Sequence, residues 1–70
     1  MTHIALLVPA FNEEVGMQRT AAVMREALDA GLVSSAVVLD GGSTDTTTAV
    51  AKTHGIDSLH IPSLQTELGP

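Results

Sequence analysis

The chain has 70 residues, 44% of them hydrophobic and 16% charged, with one Phe and no Trp, Tyr or Cys. So apolar a composition excludes a disordered chain, and so short a length allows at most one small domain or part of one. Eight acidic residues against three basic ones give a net charge of −5, which lacks the basic footprint that a phosphate backbone requires and excludes nucleic acid as an expected partner. Without cysteine there is neither a disulfide framework nor a thiolate metal site. The longest purely apolar run, Ile4 to Val8, falls far short of the ~20 residues of a membrane span. Met1-Thr2-His3 before it is not the basic start of a secretory leader. The expectation is a soluble, cytoplasmic chain with no transmembrane segment.

Ile4 to Val8 is a continuous apolar run stopped by Pro9, the pattern of a buried strand in a parallel sheet. Pro9-Ala10-Phe11 reads as a turn. Asn12 is suited to cap a helix that has Glu13 and Glu14 in its first turn, where negative charge meets the unpaired N–H groups. Met17, Ala21, Met24 and Leu28 then share one helical face, and Gly31 marks the stop. Ala36 to Leu39 is a second buried strand ended by Asp40. Gly41-Gly42 follows as a hinge, and Ser43 or Thr44 caps a second helix with Asp45 in its first turn. Thr46, Ala49, Val50 and Thr53 form the inner face of that helix, and Gly55 ends it. Ser58 to Ile61 reads as a third strand cut by Pro62. Ser63 to Pro70 has no periodicity.

Strands and helices in this alternation imply an α/β class, a three-stranded parallel βαβαβ unit with right-handed crossovers. In the order 3-2-1 both crossovers place their helices on one face of the sheet. The other face carries alternate apolar side chains with nothing over it, whereas parallel sheets are normally covered on both sides. The expectation is therefore the opening half of a larger α/β domain, with an open face that a partner chain would suit.

Ligands of open α/β sheets bind beyond the carboxyl ends of the strands. Two loops meet there: Pro9-Ala10-Phe11-Asn12-Glu13 and Asp40-Gly41-Gly42-Ser43-Thr44-Asp45. Glycine admits a ligand close to the backbone. A carboxylate after the second strand accepts hydrogen bonds from ribose hydroxyls or a base N–H. Acidic loops suit the nucleoside end of a nucleotide and leave its phosphates to a cation or basic group elsewhere. The plainer alternative is that Asn12, Ser43 and Asp45 are helix caps only. It is weaker for Asp40, since a carboxylate directly after a buried strand needs a partner.

Leu7-Val8-Pro9-Ala10-Phe11-Asn12-Glu13-Glu14, followed by Val38-Leu39-Asp40-Gly41-Gly42-Ser43-Thr44-Asp45-Thr46-Thr47, resembles the start of a family 2-type glycosyltransferase of the GT-A fold. Glucosyl-3-phosphoglycerate synthase-like members carry the most similar form. The resemblance implies the N-terminal half of a Rossmann-like nucleotide-sugar-binding domain, a partial domain spanning residues 1–70. It implies a parent activity that transfers a hexose from a nucleoside-diphosphate sugar, UDP-glucose, to a hydroxyl acceptor such as 3-phosphoglycerate. Residue by residue, Pro9 and Ala10 would lie against the uracil ring, Glu13 would reach the ribose hydroxyls and Asp40 would bond the base. Gly42 and Ser43 would shape the nucleotide pocket. None of these is a catalytic acid or base.

The family's Mg²⁺ or Mn²⁺ is held by an Asp-x-Asp motif on a later strand, and no such motif stands here; Asp57 is isolated. Without the metal the developing diphosphate charge lacks its main counter-charge. The chain by itself is thus expected to bind a nucleoside-diphosphate sugar weakly, to hold no metal and to be inactive. Three rival readings stay open. A dinucleotide-binding oxidoreductase would want Gly-x-Gly-x-x-Gly where Pro9-Ala10-Phe11-Asn12 stands. A sugar nucleotidyltransferase would want a Gly- and Arg/Lys-rich loop after the first strand. An α/β unit without catalysis would act by pairing with another chain. His3, His54 and His60 lack ligand spacing and read as surface histidines.

Overall fold

The computed structural model describes residues 3–63, so Leu64 to Pro70 and the reading of that tail lie outside the described residues. The elements are β1 (Ala5–Ala10), α1 (Glu14–Asp29), β2 (Ser35–Asp40), α2 (Thr47–Thr53) and β3 (Asp57–His60). The strands form one parallel sheet in the order β1-β2-β3, the order 3-2-1 read backwards. Ala10 lies opposite Asp40, and Asp40 opposite His60. The predicted βαβαβ class is the one observed.

The boundaries shift for identifiable reasons. Pro9 does not stop β1; it lies inside it. The carbonyls of Ile4 and Ala10 accept N–H groups of Ser34 and Gly41 from the β2 side, at 2.7 and 2.9 Å. Strand alternation therefore turns the Pro9 nitrogen to the outer edge, where a missing N–H interrupts no ladder bond. Helix α1 begins at Glu14 with Glu13, not Asn12, at its cap position. Its C-terminus closes as expected around Gly31: Leu32 N–H reaches the Ala27 carbonyl at 3.0 Å and Gly31 N–H the Leu28 carbonyl at 3.1 Å, a Schellman motif. The same pair of bonds closes α2, from Ile56 to Ala51 and from Gly55 to Lys52. Strand β3 starts one residue earlier than expected.

In α2 the inner face differs from the expected one. Thr46, Ala49 and Thr53 are exposed, while Thr47 and Ala51 are buried. The helix starts at Thr47, so the pair four residues apart that faces the sheet is Thr47 and Ala51, with Val50 beside them. The core is made of small and flexible side chains: Ala10, Ala36 and Val38 from the sheet, Met17, Ala21 and Met24 from α1, and Ala51 and Ile56 from the second crossover. Both helices thus lie on one face. On the other, Leu7 and Leu59 are 55% and 56% exposed, and nothing among the described residues covers them.

Candidate functional site

The carboxyl ends of β1 and β2 are joined before their loops diverge, because Gly41 N–H donates to the Ala10 carbonyl at 2.9 Å. Asp40, only 6% exposed, has its partner in its own loop. Its Oδ2 accepts the N–H groups of Gly42 and Ser43 at 3.2 and 3.1 Å, and its Oδ1 accepts the Ser43 hydroxyl at 2.5 Å and shares the Ser43 N–H at 3.3 Å. An ionised carboxylate has about four acceptor positions. Two N–H groups, one of them shared between both oxygens, and a hydroxyl from the same loop occupy these positions.

The first loop is bonded to the second. Asn12, at φ 49°, donates its N–H to Ser43 Oγ at 2.9 Å and accepts Thr44 N–H on Oδ1 at 2.8 Å. Asn, with a short polar side chain, tolerates this left-handed conformation better than most residues. Glu13 N–H donates to the hydroxyl of buried Thr47 at 2.8 Å. Asp45 then spans both helix starts. Its Oδ1 accepts the Thr47 hydroxyl and, at 2.9 Å, the Thr47 N–H, while its Oδ2 accepts Glu14 N–H at 3.4 Å. The Thr47 hydroxyl, followed by the Thr47 and Glu14 N–H groups, outweighs burial and holds the Asp45 carboxyl below the usual aspartate range.

The six residues singled out from the sequence therefore share one edge of the sheet. Pro9 is exposed at the end of β1, and Ala10 beside it is fully buried, its carbonyl taken by Gly41. Glu13 is exposed. Gly42 sits at φ 101°, and a Cβ built there would lie 3.6 Å from His60 Nε2. Ser43 Oγ is engaged twice, by Asn12 and by Asp40. Sequence reasoning placed Asn12 and Asp45 as caps of their own helices and missed that each bridges to the other loop. The signal present was the pair of cap-forming residue types in both loops; their partners depend on the crossover geometry. His60 was read as a plain surface histidine, and it stands beside Gly42 at the same edge. His54 reaches Gln18 Oε1 at 3.1 Å, not the last carbonyls of α2.

Among the described residues no group of three or more His, Asp or Glu side chains could hold a metal ion. Asp57, at the opposite end of β3, pairs with Lys52 at 3.4 Å. These side chains do not fit a divalent cation. Nor is any helix among the described residues long and apolar enough to cross a membrane.

No family model matches the chain, and no curated protein matches it. Among solved structures it is similar to glucosyl-3-phosphoglycerate synthase from Mycobacterium tuberculosis. With the complex of that enzyme with Mn²⁺, UDP and phosphoglyceric acid it shares 34% identity at a TM-score of 0.69, over 83% of this chain and 20% of that one. The UDP complex gives the same identity and TM-score over 83% and 21%. So does the complex with Mn²⁺, UDP-glucose and phosphoglyceric acid, over 83% and 20%. The chain spans about a fifth of the length of these relatives. In its fold, the chain matches the N-terminal part of a family 2 glycosyltransferase of the GT-A fold.

Proposed function

We propose that the paired loops hold the nucleoside end of a nucleoside-diphosphate sugar, UDP-glucose, for transfer of its hexose to a hydroxyl acceptor such as 3-phosphoglycerate. The observation that carries this reading is the joining of both loops at Asp40, a carboxylate only 6% exposed that Gly42 and Ser43 hold in place at the end of β2. A carboxylate so held suits a base N–H in place of the weaker 3.3 Å contact of Ser43 N–H with Oδ1. Exposed Glu13 lies within the same edge and suits the ribose hydroxyls; exposed Pro9 offers an apolar ring for the base, and buried Ala10 fixes the position of that ring. Gly42 leaves room for the nucleotide to approach. That similar solved structures contain UDP and UDP-glucose supports the choice of uridine.

The parent chemistry uses a divalent cation to offset the diphosphate charge of the leaving nucleotide. The residues described here supply no ligands for it, so their work is to bind and orient. Loops already bonded to each other lose little freedom when the nucleoside arrives, which favours binding.

Titration of the chain with UDP, followed by amide chemical shifts, tests the reading. Weak binding, little changed by Mn²⁺, is expected. Glu13→Ala should weaken it by about tenfold, the effect of a charge-assisted hydrogen bond, with an unaltered thermal midpoint. Asp40→Ala should abolish binding and also lower the midpoint, because it frees the loop. No UDP binding, or shifts confined to residues outside 9–13 and 40–43, would overturn it.

A further inference from the structure

We infer that Asn12 is a positioning residue for the nucleoside, acting on the Asp40 loop through its bonds to Thr44 and Ser43; this rests on the function proposed above. Three bonds in series carry the inference. Thr44 N–H donates to Asn12 Oδ1 at 2.8 Å, Asn12 N–H donates to Ser43 Oγ at 2.9 Å, and Ser43 Oγ donates to Asp40 Oδ1 at 2.5 Å. A serine hydroxyl has one proton. Asp40 takes it, so Ser43 has none to offer a ligand in this arrangement. Its part is to pass the position of the first loop to the carboxylate.

The consequence is directional. Asn12 holds the Thr44 amide from outside the turn, while Asp40 holds Gly42 and Ser43 from inside. Together they clamp the loop between two acceptors, and the Asp40 carboxylate keeps its orientation only while both hold. Asn12 itself lies outside the pair of groups proposed to touch the base and ribose. Its exposed side chain contributes by geometry, not by contact.

Asn12→Gly and Asn12→Asp separate this role from a general one. Glycine accepts the positive φ and keeps the backbone N–H to Ser43 but deletes Oδ1. Aspartate restores an acceptor for Thr44. Uridine is the probe, since a ligand without phosphate keeps the added charge of aspartate from dominating. Asn12→Gly is expected to speed amide exchange at Thr44 and to weaken uridine binding by about threefold to tenfold, the effect of one hydrogen bond. Its thermal midpoint should stay within a few degrees of the wild type. Asn12→Asp should restore both readouts to within about twofold. Unchanged uridine affinity in Asn12→Gly, or no recovery in Asn12→Asp, overturns the inference while leaving the proposed function standing. Failure of the wild-type chain to bind uridine and UDP overturns both.

Discussion

Glu14 and Thr46 bond directly across 32 residues of sequence: the Thr46 hydroxyl donates to Glu14 Oε2 at 2.5 Å. One belongs to the first turn of α1 and the other is the cap residue of α2, so the two helix starts are held by a side-chain pair. Both residues are exposed, and water competes for each of them. Glu14→Ala should therefore cost about 0.5–1.5 kcal/mol, read as a lower urea midpoint. Thr46→Val, which keeps the 3.4 Å bond from the Thr46 N–H, should cost no more, and the double variant no more than Glu14→Ala, because both remove the hydroxyl bond.

Asp45 makes stability depend on acidity. Its carboxyl is held below the usual aspartate range, chiefly by the Thr47 hydroxyl. The folded chain thus binds this proton less readily than the unfolded chain does. The contribution of Asp45 is fully present above the unfolded value of about pH 4 and is lost as pH falls from there through the lower folded value. The difference in thermal midpoint between the wild type and Asp45→Asn should be constant from pH 7 to about pH 5 and shrink below about pH 4. A difference that stays level as pH falls well below about 4 would refute the assignment.

Gly42→Ala isolates the backbone. The position has φ 101°, a region that costs an L-residue with a Cβ about 1–2 kcal/mol. The new methyl would lie 3.6 Å from His60 Nε2, an ordinary contact, so crowding is not the cause. Gly42→Ala should lower stability by that amount, and adding His60→Ala should not restore it. Recovery in the double variant would show that space, not conformation, dictates glycine there.

The two faces of the sheet should respond oppositely to truncation. Met24 and Ile56 are each 1% exposed, and replacing either with Ala should cost about 2–4 kcal/mol through lost burial and the cavity left behind. Leu7→Thr and Leu59→Thr, on the uncovered face, should change stability by only about 0.5 kcal/mol or less. Chemical denaturation of the four variants checks the contrast.

The order of elements was legible because each strand is a short apolar run and each helix carries apolar residues on one stripe. Met17, Ala21 and Met24 packed as their spacing requires. The face of α2 was misread since its first residue depends on Asp45 holding the Thr47 hydroxyl, a bond that helical periodicity does not encode. Asp40 was legible as a carboxylate needing a partner. That its partners are Gly42 and Ser43 follows from the tight turn of the loop. The bridges from Asn12 to Ser43 and Thr44 were not legible at all: they join residues about thirty positions apart and exist only because the parallel register sets Ala10 beside Asp40.

Pro9 also governs what the rim of the sheet is able to accept. Since Ile4 and Ala10 turn their carbonyls inward, the outward-pointing backbone of β1 belongs to Ala5, Leu7 and Pro9, and the last of these has no hydrogen to give. An extended segment laid along that rim would meet both a donor and an acceptor at Ala5 and at Leu7, and at Pro9 an acceptor alone. The rim therefore offers one donor fewer at the end nearest the loops, which weakens pairing there.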